Sequence, residues 1–259
     1  MRSVANRFRM ALVVLLCGLV FPAVTACSNE PVLYDHVRIF LNEQGVLGVS
    51  KQGAEPTRIA VYFHGLDSDE KVLLDDAHRG LVDALVNDGF AVVASNAGGN
   101  AFGNAGSQLD YVELIRFAQE HYGGPLPVYF IAESMGGIAA SNIYAGSPDL
   151  GVLGMVGISP ALDFKTTRED FRPAIAAAYA PDSPDRENPL DLPPESVEGK
   201  HFRFWASDSD TVVSATQNAK AFEQKFGSVT DVTVESCTGE HSDPSCMPAG
   251  QILDWLNAL

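Results

Sequence analysis

The sequence predicts an α/β fold: a mostly parallel sheet with helices on both faces. Three observations carry this. Compact apolar or β-rich runs recur along residues 59–235, and they are continuous instead of alternating, as strands covered on both faces should be. Between them lie stretches with apolar residues spaced at three and four, the period of an amphipathic helix. The 259 residues, 46% hydrophobic and 19% charged, supply one large core and show no fixed-period repeat or linker tract.

The chain opens with Arg2, Arg7 and Arg9, no acid, and an apolar run over residues 10–21. That run is too short to span a bilayer, and the pattern is that of a secretory signal peptide over residues 1–26, removed from the mature chain. Val24-Thr25-Ala26-Cys27 resembles the lipobox of bacterial lipoproteins. The resemblance implies a lipidated Cys27 as the new N-terminus and an anchor on the outer face of a bacterial cell membrane, since stable attachment takes more than one acyl chain. The alternative is an ordinary cleaved leader and a soluble secreted protein. The remainder, residues 27–259, reads as a single domain and a monomer. Loss of three arginines leaves 14 basic against 33 acidic residues, a net charge of −19 in place of −16. Such a balance argues against nucleic acid or anionic lipid as partners, because phosphate binding needs clustered Lys and Arg.

Residues 37–41 and 45–49 read as a hairpin at a sheet edge, turning through Asn42-Glu43-Gln44. Strands follow at 59–63, 90–94, 128–132, 152–158, 202–206 and 229–235. Helices are expected at 77–87, 111–122, 138–144, 216–226 and 252–259. This alternation implies βαβ units. Residues 163–200 break the rhythm with Pro173, Pro181, Pro184, Pro189, Pro193 and Pro194 around one short helical stretch near 173–179. They cannot form a regular helix or central strand. A small cap over the sheet's C-terminal edge and a plain surface connection both remain open.

The strand at 128–132 runs into Ala132-Glu133-Ser134-Met135-Gly136 and then into a helix. A strand turning sharply into a helix strains its central residue and raises Ser134 above the sheet, at a helix N-terminus that favours negative charge. Here the chain resembles the α/β-hydrolases, whose pattern is usually Gly-x-Ser-x-Gly. Ala132 departs from it by one methyl. The resemblance implies the α/β-hydrolase fold and a nucleophilic serine that needs a base oriented by an acid, in the chain order Ser, acid, His. After the strand at 202–206 comes Ser207-Asp208-Ser209-Asp210, similar to the family's acid loop. Asp210 fits that pattern best and Asp208 is the second candidate. His241 alone among six histidines lies after the last strand and before the final helix. Tyr62-Phe63-His64-Gly65-Leu66-Asp67 looks like the family's oxyanion loop, which implies Leu66 and Met135 as backbone N–H donors; His64 reads as structural.

Cys237 and Cys246 flank His241; in an exported chain this pair reads as a disulfide, closing a small loop and holding the base. The glycine-rich residues 98–106 lack phosphate-loop and dinucleotide spacing. Phe102 and Asn104 within them are candidate substrate contacts or merely parts of a turn. No pattern calls for a metal or cofactor. Together these readings lead to an expected serine hydrolase that cleaves a small-molecule or lipid carboxylic ester through an acyl-enzyme. Thioester or peptide hydrolysis and acyl transfer would use the same residues, and a non-catalytic binding lipoprotein is the non-enzymatic alternative.

Overall fold

Eight strands form one sheet in the computed structural model, which describes residues 32–259. The leader 1–26 and Cys27 lie outside the described residues. In chain order the strands are β1 (Tyr34–Leu41), β2 (Gln44–Lys51), β3 (Arg58–Phe63), β4 (Phe90–Ser95), β5 (Val128–Glu133), β6 (Val152–Ile158), β7 (His201–Ser207) and β8 (Asp231–Cys237). In space they run β1-β2-β4-β3-β5-β6-β7-β8. β1 pairs antiparallel with β2, and β2 antiparallel with β4. All remaining pairs are parallel. This arrangement is the α/β-hydrolase fold. The β1–β2 turn carries Asn42 and Glu43 at φ 48° and 67°, the paired positive values that let a two-residue turn follow the twist of a hairpin.

Helices α1 (Arg79–Asn87), α2 (Ala105–His121), α3 (Gly136–Gly146), α4 (Arg172–Tyr179), α5 (Pro194–Val197), α6 (Ala219–Phe226) and α7 (Ala249–Ala258) complete the domain. The central strands alternate strictly between two cores. Ile59, Val61 and Phe63 of β3, with Val128, Phe130 and Ala132 of β5, pack with residues of α2, α3 and α6. Ala60 and Tyr62 of β3, with Tyr129 and Ile131 of β5, pack with residues of α1 and α7 on the other side. Because both faces are covered, the period-two pattern is apolar on each beat, and the strand reads as an unbroken run.

Several element boundaries differ from the sequence expectation, and hydrogen bonds explain two of them. α2 begins at Ala105 instead of 111, because the Asn104 side chain accepts from the Ser107 N–H and caps it. β8 begins at Asp231 instead of 229, because the Val229 and Thr230 N–H groups donate back to the Phe226 carbonyl at the end of α6. The proline-rich residues 163–200 form α4, α5 and four short 3-10 turns. Their first half, through Phe164, Thr166, Thr167, Phe171 and Ile175, walls a cleft at the C-terminal ends of β3 and β5. The chain winds from β3 outward to β4 and then back across to β5, so the loops after β3 and β5 diverge around a crevice there, where open α/β sheets hold ligands.

Candidate active site

β5 passes into α3 through Ser134, which holds φ 49°, a left-handed conformation unfavourable for a residue with a Cβ. The turn is fixed on three sides. The Ser134 N–H donates to Ile158 O at 3.0 Å, and its carbonyl accepts from Gly137 N at 3.0 Å and Ala161 N at 2.8 Å. Gly136 is required by close approach: a Cβ there would lie 2.3 Å from the Phe63 carbonyl oxygen. The methyl of Ala132 fits because its cross-strand neighbour on β6 is Gly157, which has no side chain.

Above this turn lies His241, on the loop after β8. Its Nε2 is 2.7 Å from Ser134 Oγ, and its Nδ1 is 2.7 Å from Asp210 Oδ2. Asp210 is almost fully buried, and its Oδ1 accepts from the Val212 and Val213 N–H groups, both at 2.8 Å. Burial alone would raise the Asp210 pKa, but hydrogen bonds from His241, Val213 and Val212 and the nearby imidazole outweigh it and hold the carboxyl below its usual range. Asp208, the other acid of this loop, is exposed and pairs with Lys220 at 2.5 Å, away from His241.

The loop carrying His241 is closed by a Cys237–Cys246 disulfide with Cα atoms 5.0 Å apart. Cys246 is buried in the core. The Ser207 hydroxyl donates to Gly239 O at 2.7 Å, and Thr238 N donates to Ser245 Oγ at 3.0 Å. Leu66 and Met135 both line the cleft. Neither of their N–H groups donates to an acceptor among the described residues. His64 lies between the Gly65 carbonyl at 2.8 Å (Nδ1) and the Asn96 carbonyl at 3.0 Å (Nε2), bracing the Leu66 loop against the loop after β4. Phe102 lines the cleft. Asn104 does not: besides capping α2, its Nδ2 donates to Ala178 O at 2.8 Å and ties α2 to α4.

Glu133, immediately before Ser134, belongs to a group that the sequence reading left unassigned. It lines the cleft, and its Oε2 accepts from Tyr62 OH and faces His78 Nε2, each at 2.9 Å. Ser242, next to His241, lines the same cleft. Burial opposes the charge on both partners. Even so, the His78 contact and the hydrogen bonds hold the Glu133 pKa below its usual value, and Glu133 holds the His78 pKa above its own. The two form a largely buried ion pair, with Glu133 next to Ser134 in the chain. Glu133 is 55 residues from His78 and 71 from Tyr62 in the chain, so no local motif could have shown the group.

The cleft encloses about 270 Å³. Its walls are mainly apolar, with Phe102, Ile138, Phe164, Phe171, Ile175 and Val213 around the Ser134 hydroxyl. A water-poor, apolar wall of this kind suits the uncharged body of a small ligand, leaving orientation to a few polar groups.

No protein-family model matches the sequence, and no curated protein sequence matches it either. Solved structures do match in fold. The esterase Est1E from Butyrivibrio proteoclasticus superposes with a TM-score of 0.63 at 13% identity, over 86% of this chain and 98% of that one. A cold-adapted esterase from an Arctic intertidal metagenomic library gives 0.61 at 18% identity, over 86% and 92%. A putative dipeptidyl aminopeptidase IV from Bacteroides ovatus gives 0.66 at 13% identity, over 87% of this chain and 35% of that one. These likenesses establish the α/β-hydrolase fold; the neighbours span esterases and a peptidase, so the fold does not choose the substrate.

Two outcomes are expected from this geometry. The Glu133–His78 pair contributes to stability only while both partners are charged. Glu133, with a lowered pKa, contributes above its unfolded value near ~4.3 and loses this as pH falls through its folded value; His78, with a raised pKa, contributes below ~6.5 and loses this as pH rises through its folded value. Glu133→Gln therefore destabilises the chain most at about pH 6, by roughly 3 kcal/mol or more, and less at about pH 9, as thermal melts at the two pH values will read. Opening the Cys237–Cys246 bridge removes a constraint worth roughly 2 to 3 kcal/mol and frees the loop that holds His241. Ester turnover should then fall severalfold in reductant at temperatures where circular dichroism still reports a folded chain; an unchanged rate after complete reduction would show that the bridge does not position the base.

Proposed function

We propose that this chain is a serine hydrolase cleaving a carboxylic ester through an acyl-enzyme. The observation that carries the reading is the unbroken line of short contacts from Ser134 Oγ through His241 to Asp210, beside two N–H groups with no acceptor among the described residues. Ser134 Oγ attacks the ester carbonyl while His241 Nε2 takes its proton, so the nucleophile gains anionic character only as the new C–O bond forms. Asp210 stays ionised and stabilises the imidazolium. The carbonyl oxygen, now negative, is received by the N–H groups of Leu66 and Met135, each such donor being worth roughly 3 to 4 kcal/mol where measured. His241 returns the proton to the departing alcohol. Water repeats the sequence in reverse, releasing the acid and restoring the Ser134 hydroxyl.

Esterases recur among the structural neighbours, which supports an ester as the substrate, and the apolar walls of the cleft favour an uncharged acyl or alcohol group. We further propose export and lipid attachment through Cys27, on the strength of the leader and lipobox-like residues; Cys27→Ala should abolish incorporation of labelled palmitate and move the chain from the membrane to the soluble fraction.

The reaction is tested with a fluorophosphonate probe and a panel of nitrophenyl esters of increasing chain length. The wild type should be labelled and should hydrolyse the panel, whereas Ser134→Ala should lose labelling and at least roughly 10⁴-fold in kcat. Labelling that persists in Ser134→Ala would falsify the nucleophile assignment. Preferential transfer to an added alcohol over water would move the reading from hydrolase to acyltransferase.

A further inference from the structure

One carboxylate in the cleft has no part in the reaction just proposed. Asp163 follows β6, in the loop whose Ala161 N–H donates to the Ser134 carbonyl. Its backbone is held from several sides. The N–H groups of Leu162 and Asp163 both donate to Asn218 Oδ1, at 2.8 and 3.0 Å, and the Thr166 and Thr167 hydroxyls donate to the Asp163 carbonyl, each at 3.3 Å. The side chain is only partly satisfied. Oδ1 accepts from Asn188 Nδ2 at 3.0 Å and Lys165 N at 3.2 Å. Oδ2 receives no donor from any described residue, although Asp163 is only 8% exposed and lines the cleft.

The other acids on the cleft wall are differently placed. Glu133 is neutralised by His78, and Asp67 is exposed, accepting from Asn100 Nδ2 at 2.7 Å. Among the described residues lining the cleft there is no Lys or Arg. The nearby cations are engaged elsewhere: Lys165 Nζ pairs with Asp191 and Arg172 with Glu169. Oδ2 is thus open to the cleft within an otherwise buried residue, and when a bound molecule displaces the solvent there this oxygen gains most from a charge-assisted hydrogen bond. A hydroxyl or ammonium on a bound molecule would supply one, whereas a carboxylate or phosphate would meet like charge with no cation to offset it.

We infer that Asp163 selects the substrate at this site: it accepts a hydrogen bond from a hydroxyl or ammonium group carried beside the ester, and it excludes anionic esters. The inference rests on the hydrolase reading above and adds the class of ester to it. Asp163 thereby acts in recognition and takes no proton in the reaction.

Two series of matched esters test it. One varies the acyl side, comparing nitrophenyl butyrate with its 3-hydroxybutyrate and hemisuccinate counterparts; the other varies the alcohol side, comparing phenyl acetate with its hydroxymethyl, aminomethyl and carboxylate derivatives. In at least one series the wild type should show kcat/KM about tenfold or more higher for a donor-bearing ester than for the plain one, and about tenfold or more lower for the anionic one. The hydroxyl and ammonium arms tell a polyol-like from an amine-bearing substrate. Asp163→Asn, which keeps the shape and removes the charge, should shrink the penalty on the anionic ester. Rates in both series that ignore donor and charge, with Ser134 still labelled by a neutral fluorophosphonate, would overturn this inference alone. No hydrolysis in either series and no labelling would overturn the hydrolase reading and this inference with it. The wild-type ratios decide the matter even if Asp163→Asn fails to fold.

Discussion

Ser134 occupies a left-handed backbone conformation that costs on the order of 1 to 3 kcal/mol for a residue with a side chain, and the surrounding strands are arranged to impose it. β5 sits in the middle of the sheet, bonded on one side to β3 and on the other to β6, so its end cannot shift to relieve the turn. Hydrogen bonds to Ile158, Gly137 and Ala161 clamp both the N–H and the carbonyl of Ser134. α3 can start directly afterwards only because Gly136 lets its backbone pass against the Phe63 carbonyl. That one close approach brings the end of β3, and hence the Leu66 N–H, beside the start of α3 and the Met135 N–H. The position of the hydroxyl and the position of both candidate donors thus follow from a single packing contact.

His241 has the opposite problem. β8 lies three strands from β5, which at about 4.8 Å per strand is roughly 14 Å. The loop after β8 must therefore run back over the ends of β7 and β6 for the imidazole to reach Ser134. Its route is marked by contacts with those strands: the Ser207 hydroxyl at the end of β7 holds Gly239 O, and Ser159 Oγ just after β6 receives the Ser242 N–H at 3.4 Å. A loop crossing two strand ends has few backbone partners of its own. The disulfide between the end of β8 and buried Cys246 shortens the free chain at the place where this matters. Asp210 approaches the imidazole from β7, one strand nearer, and is aimed by two backbone N–H groups instead of by a long loop.

What the sequence could show divides along the same line. The buried strands, the turn at Ser134 and the chain order of serine, acid and histidine are local patterns, and local patterns survive in a linear reading because burial on both faces and the strand-to-helix turn each demand particular residues at fixed spacing. The disulfide was legible from two cysteines nine residues apart in a sequence whose leader reads as an export signal. Asn104 stayed open between a substrate contact and part of a turn because a polar residue in a glycine-rich loop looks the same whether it touches a ligand or caps a helix; the Ser107 contact appears only once α2 is placed. The Glu133, His78 and Tyr62 group was invisible for a different reason. Its members come from β5, the start of α1 and β3, and only the order of strands in the sheet brings them together.

Glu133 and Asp163 place two carboxylates at one apolar cleft under opposite conditions, and the difference assigns their roles. Transferring an ionised carboxylate from water into a poorly solvated site is expensive unless its oxygens find donors or a counter-charge. Glu133 is given both, a donor by Tyr62 and a counter-charge by His78, and the result is a fixed element of the wall whose charge is balanced locally. Its effect on the nucleophile is then one of position, because a paired charge exerts little net field on the imidazole beside it. Asp163 is given donors on one oxygen only, while its backbone is held at three points. A side chain so firmly placed and yet incompletely satisfied cannot relax to complete its own bonding; the missing donor has to come from solvent or from whatever occupies the cleft. Rigid placement with one open acceptor is the condition under which a buried polar group discriminates between ligands, since a molecule that fails to supply the donor displaces water and leaves the oxygen unpaired.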